Sequence, residues 1–394
     1  MSDALTIITT IAVLLFVGVV CSWISSKIKI PDVLLLLITG ILFGATSYKG
    51  QPLIQFPELF LISIAILALA LIVFDSTARW RIKELDALSL QAMKITIVTI
   101  IFQIILFSLA AYYLLGIAGW LAILFATILC GTGPEVLLPL VTKKNKALSI
   151  LKLESLFNTP LTVIFPFIVI ELMQNVKGQL MTSLIDQLVP FIMKFIVGLG
   201  AGVFVGIILF KIMQKSYTSV YSSLAVIIAA LLSYVLAENL GGSGVLAVTA
   251  LGLFFGKTLE KQRETLLSVE GALAKALYIL VFILLGLIVH LPLTKEFILN
   301  SLMMFGIYLL IRFIAILVSM RKEHNLKEKI FLTLNSPKGI ATATVVFIIA
   351  VYNIEGMRLI LDMTLAIVLY SLVLSSIIMA LNKFFIGQND KNTT

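Results

Sequence analysis

Charge is scarce in this chain. Only 12% of its 394 residues are charged, 60% are hydrophobic, and mean hydropathy is +1.13. A soluble domain carries about 25% charged residues and 45–50% apolar ones. A soluble globular enzyme and a disordered chain are therefore both excluded. Cysteine and histidine are nearly absent, being limited to Cys21, Cys130, His290 and His324. Two cysteines in apolar runs make neither a disulfide framework nor a metal pattern. Two histidines leave no His-based transition-metal site, and no cofactor is expected. No Gly-x-Ser-x-Gly elbow or nucleotide fingerprint occurs. The run Gly198-Leu-Gly200-Ala-Gly202 lies inside an apolar segment and reads as small-residue helix packing. The chain is therefore not expected to be an enzyme.

What the chain has instead is a series of long apolar runs. A spanning helix takes roughly 20 residues. Hydropathy predicts thirteen spans, at 4–26, 31–47, 58–78, 90–116, 119–141, 147–175, 184–213, 218–238, 243–259, 266–290, 295–320, 329–352 and 358–385. The expected fold is an all-α polytopic membrane protein. The net charge of +9 could suggest nucleic acid, but its distribution points to a lipid bilayer. Nineteen Lys and Arg residues fall in connections after odd-numbered spans. Four fall on the opposite side: Lys49, Lys177, Lys295 and Arg358. Basic residues concentrate in cytoplasmic loops. The alternation predicts a multi-pass plasma-membrane protein with its N-terminus outside and its C-terminus cytoplasmic. The first span lacks a basic leader and a small-residue cleavage site, so it reads as a span and not a signal peptide.

The chain also repeats itself. Val33–Gly44, VLLLLITGILFG, aligns with Val245–Gly256, VLAVTALGLFFG. The first is span two and the second span nine. The same shift of seven carries span five onto span twelve, and both of these are interrupted. The breaks fall at Gly131, Gly133 and Pro134 in one and at Pro337 and Gly339 in the other. Seven is odd, so the two halves enter the membrane from opposite sides. An inverted repeat with broken helices at matching positions points to a secondary transporter with a midplane site. The expected organisation is a first repeat over 1–175, a linker helix over 184–213, a second repeat over 218–385 and a cytoplasmic tail over 386–394.

Charge within a span is costly, so each case is a functional candidate by default. Lys94, Glu171, Asp186, Glu238 and Asp362 lie near predicted span ends and read as interfacial residues. Lys194, Glu270, Lys275 and Arg312 lie deeper, with no partner evident. Four positions are central or flank the breaks: Asp75, Glu135 after Pro134, Glu154 in span six, and Lys338 in the break of span twelve. On a helix Glu154, Ser155, Asn158 and Thr159 form one polar stripe. Four oxygen-bearing side chains on one face suit a hard monovalent cation, although a Ser/Thr/Asn stripe also serves as helix-packing glue.

At these residues the sequence resembles the monovalent cation:proton antiporter superfamily, in particular its thirteen-span sodium/proton exchanger branch. Glu154-Ser155-x-x-Asn158-x-Pro160 matches a motif of that family, as does the Thr132-Gly-Pro134 break. Two departures are equally specific. The family's aspartate in span five is Gly133 here, and its span-six aspartate is Thr159. The resemblance implies a transporter that exchanges Na+ or K+ for protons by alternating access, as a homodimer, with an atypical ion site. Thr132, Ser155, Asn158, Thr159 and Asp75 are the expected ion ligands, and Asp75, Glu135 and Glu154 the candidate proton carriers. By the same resemblance Lys338 matches the basic residue that pairs with Glu154 in a structural salt bridge. Alternatively, a proton on Lys338 competing with a bound cation would couple transport without an aspartate. The second reading keeps the fold without proton coupling, as an uncoupled or anion transporter or a transport-dead partner subunit.

Overall fold

The computed structural model describes residues 2–28, 30–48, 51–52, 54, 56–78, 87–133, 146–176, 184–215, 219–258, 263–288, 291–292, 294–320, 325–351 and 356–381. These residues are almost entirely helical. In order they form α1 (Ser2–Ile28), α2 (Asp32–Ala45), a hairpin of β1 (Ser47–Tyr48) and β2 (Gln51–Pro52), α3 (Glu58–Ala78), and α4 (Ala87–Phe102). A single π-helical turn, Gln103–Phe107, joins α4 to α5 (Ser108–Leu115). There follow α6 (Gly119–Ile128), α7 (Lys146–Val176), α8 (Leu184–Lys215), α9 (Ser219–Asn239), α10 (Gly244–Thr258) and α11 (Arg263–Ile288). The last are α12 (Lys295–Ser319), α13 (Leu326–Leu334), α14 (Ile340–Val351) and α15 (Met357–Ala380).

Helices dominate because a bilayer offers the backbone no hydrogen-bond partner, so each segment must bond internally. Among the described residues eight helices are long and apolar enough to cross a membrane, and five more are apolar but shorter. Of predicted span five, α6 and Leu129–Gly133 are described, and residues 134–141 lie outside the described residues. Span four is α4, the π-turn and α5 together. Span twelve is α13 and α14, separated by non-helical Asn335–Gly339. The outward side chains are themselves apolar. On α1, Leu5, Ile8, Phe16 and Trp23 are all more than half exposed, a surface suited to lipid.

The chain divides into two compact units. The first comprises Met1–Leu61, Asp86–Thr162 and Ile279–Thr394. Within it α4 packs on α12, and α15 packs on α6, α12, α13 and α14. The short α2 lies against α11, where glycine is required for the close approach. A Cβ on Gly286 would stand 2.5 Å from the Leu37 carbonyl oxygen and 2.9 Å from the Ile41 nitrogen. The second unit comprises Ile62–Leu85 and Val163–Tyr278. Here α8, α9 and α10 pack together. Gly198 and Gly202 of α8 face Ser243, just before α10, and Leu246 and Ala247 on it, and Gly200 faces open space. Two of the three glycines in that run thus serve helix packing.

Candidate ion site at the interrupted helices

The site forms where two interruptions meet in the first unit. Helix α6 stops at Ile128, and Leu129–Gly133 continue it as buried, non-helical chain. The non-helical segment Asn335–Gly339 lies beside it. The Gly133 amide donates to the Pro337 carbonyl at 2.7 Å, joining the two segments through their main chains. Side chains replace the helical bonds lost in the second break. The Lys338 amide donates to the Ser371 hydroxyl at 3.0 Å, and the Ser375 hydroxyl donates to the Leu334 carbonyl at 3.1 Å. Both serines sit on α15.

Breaking a helix exposes carbonyls at its C-terminal end, where the helix dipole is negative. Lys338 occupies that position. Its Nζ donates to the carbonyl of Leu129, and to that of Gly131 at 3.0 Å. The ammonium also stands 3.9 Å from the ring centroid of Tyr308 on α12, a favourable cation–π placement. Lys338 is fully buried, and among the described residues no carboxylate pairs with it.

Glu154 is held elsewhere, which corrects the expected pairing of Glu154 with Lys338. The carboxylate takes a two-pronged bond from Arg312 of α12, at 2.8 Å from Nη1 and 3.0 Å from Nη2. A planar guanidinium matches a carboxylate through two parallel bonds, which a point-like ammonium cannot do. Arg312 Nη2 also donates to the Leu332 carbonyl at 3.3 Å. Both residues are buried. Glu154 is thus committed as the counter-charge of Arg312. The partner sought for Arg312 in the sequence is Glu154 itself.

The polar stripe on α7 divides between two uses. Asn158 reaches across to the interrupted α6 segment, its Nδ2 donating to Thr132 Oγ1 at 2.6 Å. Its Oδ1 has no hydrogen-bond partner despite full burial. Ser155 and Thr159 instead bond backward along their own helix, to the carbonyls of Lys152 at 3.0 Å and Ser155 at 2.6 Å. Two threonines missed by the sequence reading complete the cluster. A Cβ on Gly131 would come within 2.9 Å of the hydroxyls of both Thr162 and Thr342. The Thr342 hydroxyl has no partner among the described residues. Nothing in the run Ile340-Ala-Thr-Ala-Thr344 marks Thr342 as special.

That crowding makes a prediction. Gly131→Ala forces a methyl against two threonines and is expected to cost ~1–3 kcal/mol, the range for overpacked interiors. A lowered thermal midpoint in detergent checks it.

Asp75 lies on α3 in the second unit and is half-buried. Pro134 and Glu135 lie outside the described residues, as do the side chains of Glu171, Asp186 and Glu270. Lys94 and Glu238 are exposed, and the Glu238 carboxylate accepts from the Gly244 amide at 2.8 Å. Asp362, read as interfacial, is instead buried in α15 with only 6% exposure. Among the described residues no cluster of His, Cys, Asp and Glu could hold a metal ion.

Comparison with known proteins gives the setting for this geometry. Residues 11–381 match the family described as sodium/hydrogen exchanger, transmembrane. A protein named probable Na(+)/H(+) antiporter 2 from Methanocaldococcus jannaschii is 25% identical over 345 residues, covering 83% of this chain and 80% of that one. The K(+)/H(+) antiporter NhaP2 of Shewanella sp. strain ANA-3 is 27% identical over 373 residues, covering 92% of this chain. This chain spans 64% of that relative's length. In fold it is similar to the sodium proton antiporter MjNhaP1 of M. jannaschii, solved at pH 8, with a TM-score of 0.80 at 20% identity over 97% of this chain and 98% of that one. The match extends over nearly the whole sequence, interruptions and α7 motif included, and the chain belongs to the transmembrane sodium/hydrogen exchanger family.

Proposed function

We propose that the chain exchanges a monovalent cation, Na+ or K+, for protons by alternating access, with Lys338 as the proton carrier. The observation that carries this reading is the seat of Lys338. Its ammonium holds the carbonyls of Leu129 and Gly131, beside the Thr132–Asn158 pair. A dehydrated cation needs the same oxygens. Lysine, unlike arginine, can be neutral inside a protein. When Lys338 holds its extra proton, its own charge fills the seat. When it gives that proton up, a cation takes the place, with Thr132, Asn158 and the carbonyl lone pairs as ligands. Ser155 and Thr159 supply further hydroxyl oxygens from α7. The two loads exclude each other, as coupled exchange requires. Glu154 has no carrier role in this scheme, because both its carboxylate oxygens are engaged by Arg312.

The same reading places the protein in the plasma membrane as a homodimer, with the N-terminus outside and the C-terminus cytoplasmic. The experiment is proton flux in proteoliposomes with a trapped pH dye, adding sodium, potassium, lithium and then chloride. Cation-triggered proton efflux is expected. Folded protein that moves no protons with any cation would overturn the proposal and favour the uncoupled reading.

A charge count gives a second expectation. The site carries one positive charge in either state, on the ammonium or on the bound cation. Exchange is then one for one and electroneutral. A potential-sensitive dye in the same vesicles is expected to stay silent during transport, and a potential built by cation addition alone sinks the lysine-only scheme.

A further inference from the structure

The π-turn in span four has a consequence for Arg312. Ala92 and Ile95 of α4 lie in one core cluster with Ile316 and Met320, near the end of α12. The π-turn and α5 follow α4 in the chain and also pack on α12. Because α12 ends at Ser319, these later residues can only meet earlier parts of α12. The two helices therefore run antiparallel. Gln103 lies eight residues beyond Ile95, and Tyr308 lies eight before Ile316. Both steps are about 12 Å of helix. With Ile95 taken as opposite Ile316 in that cluster, Thr99 falls level with Arg312, and Gln103 with Tyr308. All four are buried: Gln103 and Arg312 are 0% exposed, Tyr308 1% and Thr99 4%.

This level of the interface carries unmet polar atoms. Both amide atoms of Gln103, the Thr99 hydroxyl and Arg312 Nε have no hydrogen-bond partner among the described residues. Leaving such groups buried and unbonded is costly, so four such atoms on two packed helices make no sense as a dry contact. The set offers donors and an acceptor in the proportions that bound water satisfies. It does not suit an anion, because Arg312 has already spent its charge on Glu154. Isolated π-turns of this kind recur at functional positions because they re-aim side chains.

We propose that Thr99, Gln103 and the Nε edge of Arg312 hold a buried water cluster, and that this cluster relays the proton lost by Lys338. The relay rests on the carrier role given to Lys338 above; the hydration does not. Tyr308 links the two, one turn from Arg312 on α12 and directly beneath the Lys338 ammonium. In the transfer an N–H bond of Lys338 breaks and leaves its electron pair on nitrogen. An O–H bond forms on the neighbouring oxygen, which passes one of its own protons along the cluster.

Two measurements test this. Radiolytic hydroxyl-radical footprinting of the wild-type protein reads buried water directly. Oxidation of Tyr308 well above that of other buried aromatic residues is expected, and its absence overturns the hydration. Exchange in proteoliposomes reads the relay. Gln103→Met and Thr99→Val, which keep shape and remove hydrogen bonding, are expected to slow exchange at saturating cation by about tenfold, with the half-saturating cation concentration unchanged. Full rate in both variants, with Tyr308 still labelled, overturns the relay and leaves the water structural. If Lys338→Gln retains pH-dependent exchange, the carrier assignment fails and the relay from Lys338 fails with it, while the labelling of Tyr308 still decides the hydration. Should neither Gln103→Met nor Thr99→Val fold, the wild-type footprint alone still decides whether water is present.

Discussion

Lys338→Gln is expected to abolish cation-triggered proton efflux, with a loss of at least about a hundredfold, the lower end of what a positioned proton carrier contributes. Glutamine still presents N–H donors to the carbonyls of Leu129 and Gly131, so the seat keeps its shape. What it loses is the ability to load and unload a proton. Any cation uptake left in this variant should be indifferent to pH. Lys338→Arg is expected to be inactive for the opposite reason, since a guanidinium does not give up its charge and would block the seat permanently. In the unaltered protein, proton and cation compete for one place. Apparent cation affinity should therefore rise as pH rises, because fewer ammonium groups occupy the site. Asp75→Asn and Glu135→Gln should leave that pH profile in place. Proton efflux that survives Lys338→Gln but disappears in either carboxylate variant would move the carrier to that residue.

The second large effect concerns Glu154 and Arg312. Removing one partner of a buried ion pair strands the other charge, a loss on the order of 3–5 kcal/mol. Glu154→Leu and Arg312→Met should each lower the thermal midpoint in detergent steeply and reduce the yield of folded protein. The double variant Glu154→Leu with Arg312→Met should recover much of that loss, because an apolar pair of similar volume carries no desolvation penalty. A double-mutant cycle on unfolding separates this coupling from mere packing. Equal and additive losses in the two single variants would mean that the pair contributes no interaction of its own. By contrast, Lys338→Gln should have a modest effect on stability, since it breaks no ion pair.

Much of this was legible in the sequence. Length and hydropathy are strong signals of an all-helical membrane fold because a bilayer permits few solutions. The interruptions at Gly131–Pro134 and Pro337–Gly339 were visible because Gly and Pro are poor helix interiors. The reach of Asn158 from α7 followed from helical spacing. What failed was long-range pairing. Glu154 had two candidate basic partners in the interior, Lys338 and Arg312, and one chain does not say which shares its depth. The fork of the guanidinium decides the match, a matter of three-dimensional aim and not of order along the chain. Lys338 in turn faces backbone carbonyls, which leave no mark in a sequence. Thr342 and Gln103 were missed because neither stands in a motif. The π-turn has no glycine or proline to announce it, and Gln103 was one polar residue inside a run long enough to hide it.

The bond between the Gly133 amide and the Pro337 carbonyl bears on how such a protein can evolve. It asks only for a backbone N–H at position 133, which every residue but proline supplies. The tie between the two interrupted segments is therefore indifferent to the side chain carried there. A lineage can add or delete a charge at this position while the tie that holds the two segments together is inherited unchanged.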